Sequence, residues 1–188
     1  MDLLKKLCEI HSPSGEEYRL RNFILEYIEK NKHTWAHTPQ ILVDNEFQDS
    51  LVLVFGRPRT AVYAHMDSVG FMVRYNNKII KIGGPKVDVG FELRGYDSNG
   101  IVECSITSED ENEISITSTK TLERGTSLTF KPKFIEEDEF ITSNFLDNRI
   151  GVYNALRLCE SIENGAIAFT CWEEHGGGNA QFISHYLW

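Results

Sequence analysis

The sequence predicts an α/β fold, a core built on a mixed sheet with a small β-barrel inserted into it. Two observations carry this expectation. Helical periods and continuous apolar runs occupy both ends of the chain, whereas the stretch from Val69 to about Ile141 consists of short alternating segments with no helical period. The expected division is a discontinuous core, 1–68 and 142–188, around a barrel at 69–141.

Leu3, Leu4 and Leu7 suggest a first short helix that breaks at Ser12-Pro13, because the residue before proline is pushed out of the helical region. The clearest helix is expected to start at Ser14, where Ser14 and Glu17 spell an S-x-x-E capping box and Leu20, Phe23, Ile24, Tyr27 and Ile28 recur at helical spacing. Leu51 to Phe55 and Thr60 to Ala64 read as two strands covered on both faces, with Gly56-Arg57-Pro58-Arg59 turning between them.

In the middle stretch, Phe71 to Val73, Ile79 to Ile82, Val87 to Leu93, Ile101 to Ile106, Ile114 to Thr117 and Ser127 to Phe130 read as strands. Asn76-Asn77, Gly83-Gly84-Pro85, Asp97-Ser98-Asn99-Gly100 and Arg124-Gly125 mark the reversals. Asp147 then opens a helix with Ile150, Val152, Tyr153, Ala155, Leu156, Leu158 and Cys159 on its buried face, ended by Gly165. Ala166 to Trp172 is a doubly covered strand that stops at Glu173-Glu174. Gly176-Gly177-Gly178 releases the chain into a last helix whose apolar residues Phe182, Ile183, Tyr186 and Leu187 need a partner surface.

Composition narrows the function. With 188 residues, 41% hydrophobic and 25% charged, the chain suits a globular protein with a real core. Its 28 acidic against 19 basic side chains, net −9, supply no basic excess for phosphates, so neither nucleic acid nor an acidic membrane surface is an expected partner. The acidic clusters Glu109-Asp110-Glu111 and Glu136-Glu137-Asp138-Glu139 read as solvated loop charge. Cys8, Cys104, Cys159 and Cys171 form no CxxC pair, which fits a reducing cytosol. No stretch reads as a signal peptide or bilayer span, and the expected location is cytoplasmic.

Three pieces of sequence carry chemistry: His65-Met66-Asp67, Asp147-Asn148-Arg149 and Glu173-Glu174, each following or closing an apolar run. Imidazole and carboxylate suit Zn²⁺ and its neighbours, one carboxylate can bridge two ions, and a spare one can take a proton from water. His65 and Asp67, at i and i+2 on a strand end, project to one side, with the carboxylate placed to orient the ring. Taken alone, Asp147 reads first as a helix N-cap, although a carboxylate has lone pairs enough to serve both a backbone N–H and a metal. Two adjacent carboxylates after a buried strand repel unless cations or protons compensate, so one of Glu173 and Glu174 suits a metal and the other a general base.

These motifs, together with Ser12-Pro13-Ser14-Gly15-Glu16, Ala64 to Val73, Gly83-Gly84, Phe145 to Gly151 and Trp172-Glu173-Glu174-His175-Gly176, stand in the order found in a known family. Across almost its whole length the chain resembles the glutamyl-aminopeptidase-like co-catalytic metallo-aminopeptidases that assemble into tetrahedral dodecamers. The resemblance implies an α/β metallopeptidase core with a β-barrel insertion, and hydrolysis of an N-terminal peptide bond by water activated between two divalent ions, Zn, Co or Mn. It implies His65 and Glu174 as metal ligands, Asp147 as the bridge, Asp67 as the carboxylate behind His65 and Glu173 as general base. It also implies peptide substrates with a free N-terminus and a homo-oligomer between dimer and dodecamer.

The pattern departs in places: His175 stands where the family usually has an apolar residue, Asn148 replaces a frequent second Asp, and two expected ligands are missing. The family supplies a further Asp and a C-terminal His, and the 14 residues after Glu174 contain no acidic residue. Relative to the family the chain reads as incomplete at its C-terminus. Three ligands shared between two ions leave each ion two protein donors, below the catalytic minimum of about three. The expectation is that a dinuclear site forms only if further sequence or another chain contributes. The alternative is a catalytically silent homologue that acts as an assembly or binding module. A third reading, glycoside cleavage by Glu173 and Glu174, is disfavoured because sequence neighbours rarely face each other across a sugar bond.

Overall fold

The computed structural model describes residues 1–43, 45–110 and 113–188. Its core is a four-stranded mixed sheet of β1 (Gln40–Leu42), β2 (Leu51–Phe55), β3 (Ala61–His65) and β12 (Gly165–Thr170). The order is β1-β2-β12-β3, with β12 antiparallel to β2 and parallel to β3. The turn after Phe55 therefore does not close a hairpin: β12 lies between the strands it joins. All of β12 is buried, as its unbroken apolar run predicts. By contrast β3 is the sheet's last strand, and Val62 and Tyr63 are 38% and 36% exposed, so the expectation that it is covered on both faces is corrected.

One face of the sheet is covered by α1 (Asp2–Glu9), α2 (Tyr18–Asn31) and α3 (Leu146–Leu158), through Leu7, Leu20, Ile24, Ile28, Val152 and Leu156. The face of α3 that is buried runs through Arg149, Val152, Ala155 and Leu156, while Ile150 and Leu158 are exposed. The helix stops at Leu158, and Gly165 is the first residue of β12 rather than a helix end. On the other face α4 (Ala180–Leu187) sets Ile183 against Phe47, Val52 and Ala168. Phe47 also meets the rings of Phe182 and Tyr186 edge-on, so the last helix does find a partner surface.

The second body is a closed antiparallel barrel of β4 (Gly70–Val73), β5 (Lys78–Ile82), β6 (Glu92–Asp97), β7 (Gly100–Asp110), β8 (Glu113–Thr117) and β9 (Ser127–Phe130). Its order is β4-β5-β8-β7-β6-β9, and Phe71, Leu93, Ile106, Ile116 and Leu128 fill the interior. Asn76 and Asn77 both take left-handed backbone in the β4–β5 turn, the conformation a tight hairpin requires and Asn tolerates. The segment from Val87 to Phe91 is not strand, and β6 begins at Glu92. A ribbon of β10 (Phe134–Glu136) and β11 (Ile141–Ser143) leads back to the core. Of the acidic clusters, Glu136 to Glu139 is exposed and Glu109 pairs with Lys81, while Glu111 lies outside the described residues. No helix among the described residues is long and apolar enough to cross a membrane.

Candidate metal centre

The expected capping box does not form. Ser12 to Ser14 instead pairs with Ser68: the Ser68 N–H donates to Ser12 O at 2.9 Å and the Ser14 N–H to Ser68 O at 3.2 Å. That pairing turns Ser14 Oγ to Asp67 Oδ2, 2.6 Å away, and α2 starts only at Tyr18 with no side-chain cap. Glu17 is fully buried, accepting the Gly15 N–H and the Trp172 N–H, each at 3.0 Å. Burial pushes its carboxyl up to about 7, a rise that the backbone hydrogen bonds moderate.

His65 ends β3 at the carboxyl edge of the parallel β3–β12 pair, where open α/β sheets place their ligands. Its Nδ1 lies 3.2 Å from Asp67 O and 3.4 Å from Asp67 Oδ1. Its Nε2 lies 3.1 Å from Asp147 Oδ1 and 3.8 Å from Glu173 Oε2. Burial alone would lower the ring's pKa, but the Asp67 hydrogen bond and charge, with Glu173 and Asp147, raise it to about 9. Asp67 is fully buried and accepts three hydrogen bonds besides its contact with His65: Ser14 Oγ, the Glu173 N–H at 3.1 Å and the Glu174 N–H at 3.0 Å. Burial works to raise its carboxyl; the hydrogen bonds from His65, Ser14, Glu174 and Glu173 outweigh that and hold it below the usual range.

Asp147 was expected either to cap α3 or to bind metal. The cap of the regular turns falls to Asn148, whose Oδ1 accepts the Gly151 N–H at 3.0 Å, and Asp147, at the kink in the first turn of α3, has non-helical backbone. Its exposed carboxylate is thereby left to His65. Glu174, half-buried, has its carboxyl raised by burial, partly offset by His65 and reinforced by the charges of Asp147, Glu173 and Asp67. The barrel reaches the same place: a Cβ on Gly83, at φ +72°, would lie 2.6 Å from the Glu174 carbonyl oxygen, so only glycine lets the loop after β5 approach so closely.

Ligand atoms of His65, Asp147 and Glu174 lie within 4.8 Å of one another. An imidazole nitrogen and two carboxylate oxygens converging on one point fit a divalent cation, and the crowding of Asp67, Asp147, Glu173 and Glu174 is what such a cation relieves. All five residues anticipated from the sequence meet at this end of the sheet. His175 and His185 are exposed and do not belong to the cluster.

Sequence reasoning missed Ser14, Glu17 and Arg149. Arg149 is fully buried on α3, its Nε donating to Leu7 O at 3.1 Å and its Nη1 to Met66 O, the carbonyl between His65 and Asp67. Its Nη2 has no hydrogen-bond partner among the described residues. Burial lowers its pKa to about 10, opposed by the charges of Cys8, Asp67, Glu17 and Glu174, so it stays cationic behind an acidic site. A charged residue inside the buried stripe of a helix was the available signal.

The fold and site together define a class: a mixed-sheet α/β core with a His–Asp–Glu cluster at the carboxyl ends of two parallel strands and a closed barrel beside it. Among solved structures this is the fold of TET aminopeptidases. The TET aminopeptidase of a marine sediment Thaumarchaeota archaeon superposes with a TM-score of 0.80 at 20% identity, over 100% of this chain and 62% of that one. The dodecameric PhTET1-12s gives 0.77 at 23% identity, over 98% and 64%. A Thermotoga maritima protein described as an endoglucanase gives 0.71 at 21%, over 98% and 62%. The chain thus spans less than two thirds of the length of these structures. No family model and no curated protein matches it.

Proposed function

We propose that the chain is the core of a metal-dependent aminopeptidase, and that 1–68 with 142–188 forms the peptidase unit and 69–141 the inserted barrel. The observation that carries this reading is the convergence of His65, Asp147 and Glu174 on one point, with Glu173 3.8 Å from His65 at its rim. These three residues would hold a divalent ion, Zn, Co or Mn, and Asp147, which is exposed, would bridge to a second ion whose other donors lie outside this set. Bound there, such ions lower the pKa of water and polarise a carbonyl.

The chain's own residues do the rest. Asp67 receives His65 Nδ1 and keeps Nε2 turned to the site. Glu173, largely exposed, is free to accept the proton of the attacking water and return it to the leaving amine. The similarity to a TET aminopeptidase supports peptide substrates with a free α-amine, and that to the dodecameric PhTET1-12s a homo-oligomeric state.

The test is calorimetric titration of the full chain with zinc or cobalt, followed by assay on peptides with free and with acetylated N-termini. The expected outcome is at least one ion per chain, lost in His65→Ala and kept in Glu173→Gln. Turnover should be confined to free amines, be abolished in Glu173→Gln, and run alongside an oligomer in light scattering. Binding without turnover would point to a silent assembly module or to a site that needs donors beyond this chain, release of reducing sugar by metal-stripped protein to a glycosidase, and absence of binding would overturn the metal site.

A further inference from the structure

The loop carrying Glu173 and Glu174 is gripped from behind. Three consecutive backbone N–H groups, those of Trp172, Glu173 and Glu174, donate to Glu17 Oε1 at 3.0 Å, Asp67 Oδ1 at 3.1 Å and Asp67 Oδ2 at 3.0 Å. Trp172 sits at φ +67°, a left-handed conformation that a bulky residue adopts only when its surroundings impose it. With these N–H groups turned inward, the Glu173 and Glu174 side chains face His65 and Asp147. Asp67 also touches His65, so its place at the site needs no further account. Glu17 acts on the site through the loop's backbone. Its second oxygen is tied to the Gly15 N–H at 3.0 Å, which fixes the carboxylate at both ends, and it is fully buried.

We propose that Glu17 is a positioning residue, which sets the backbone of the Trp172–Glu174 turn and through it the placement of the Glu173 and Glu174 carboxylates against His65 and Asp147. The proposal rests on the metal-site reading above and extends it to a residue 155 positions from Trp172 in sequence. Hydrogen bonds from N–H to a carboxylate are stronger than those to a neutral acceptor, and outer partners of this kind hold ligands within the narrow geometry that an ion demands.

The experiment titrates the full wild-type chain, Glu17→Gln and Glu17→Met with cobalt(II) alone by calorimetry, and compares backbone amide NMR spectra of the metal-free proteins. Glu17→Met keeps the volume and offers no acceptor. It is expected to weaken cobalt binding about tenfold or more and to move the amide resonances of Trp172, Glu173 and Glu174 while leaving those of the barrel in place. Glu17→Gln, with one acceptor for two N–H groups, should lose less affinity and move the same amides. Unchanged affinity and unchanged amides in Glu17→Met overturn the proposal. Should Glu17→Met not fold, wild-type behaviour of Glu17→Gln on both readouts overturns it. Should the wild type itself bind no cobalt, the metal-site reading fails, and the amides alone decide: movement confined to the turn upholds positioning, and none overturns it.

Discussion

At the residue scale, the Asp67 side chain has four partners. Its two oxygens receive two consecutive backbone N–H groups and the Ser14 hydroxyl, with His65 3.4 Å away. An amide at this position offers one acceptor oxygen and turns an NH₂ toward a backbone N–H, leaving buried donors unpaired. Asp67→Asn is therefore expected to destabilise by about 2–3 kcal/mol in denaturant unfolding, and Ser14→Ala, which removes one bond to a charged acceptor, by about 1–2 kcal/mol. Metal affinity should follow the same order. Equal, negligible losses in both variants would show that the loop holds itself without Asp67. Ser14 and Glu17 also show how a local motif misleads. The S-x-x-E spacing is sound, yet the backbone of Ser12 to Ser14 is committed to Ser68, and both side chains are drawn to partners more than fifty positions away.

At the element scale, the regular turns of α3 begin only after a kink at Asp147 and Asn148. Asn148 accepts the Gly151 N–H, and this frees Asp147 for the site. Asn148→Ala should cost about 1 kcal/mol in urea unfolding and Asn148→Asp close to nothing, since both Asn and Asp cap well. If Asn148→Ala proved neutral, the division of labour between the two neighbours would be wrong. In the barrel, β6 and β9 pair closely at Gly95, where a Cβ would lie 2.1 Å from Ser127 O and 2.8 Å from Leu128 Cδ2. Because Ser127 O is backbone of the paired strand, it cannot swing aside. Gly95→Ala is expected to destabilise the barrel by about 3 kcal/mol or more, read as a lowered unfolding midpoint.

At the scale of the whole molecule, the core and the barrel meet at His11. Its ring is buried, with Nε2 2.9 Å from Ser127 Oγ and Nδ1 3.2 Å from Thr129 Oγ1, both on β9, and it meets Tyr96 of β6 edge-on. Burial foremost, then the charges of Arg19 and Arg149, lower its pKa to about 4, with Glu16 3.8 Å away too exposed to restore it. The unfolded chain therefore takes up a proton near pH 6.5 that the folded chain refuses until about pH 4. Stability from this residue is complete above pH 6.5, falls through that window, and is lower by on the order of 3 kcal/mol below it. Thermal midpoints of the wild type should drop more between pH 7 and pH 4 than those of His11→Gln. Parallel curves for the two proteins would remove His11 from the account.

Features with a short repeat were legible in the chain itself. The unbroken run Leu51 to Phe55, the helical stripe from Leu20 to Ile28 and the turn at Asn76-Asn77 became the elements their patterns predict, because period and turn chemistry act between near neighbours. The chemical character of His65, Asp67, Asp147, Glu173 and Glu174 was legible for a similar reason: few other duties bring imidazole and carboxylates to the ends of apolar strands. What needed the tertiary structure was every choice between partners distant in sequence. Only packing decided that β12 enters between β2 and β3, that Asn148 rather than Asp147 caps α3, and that Ser14, Glu17 and Arg149 stand behind the site. A buried polar group takes whichever partner the fold brings within reach, and nothing in its sequence neighbourhood names that partner.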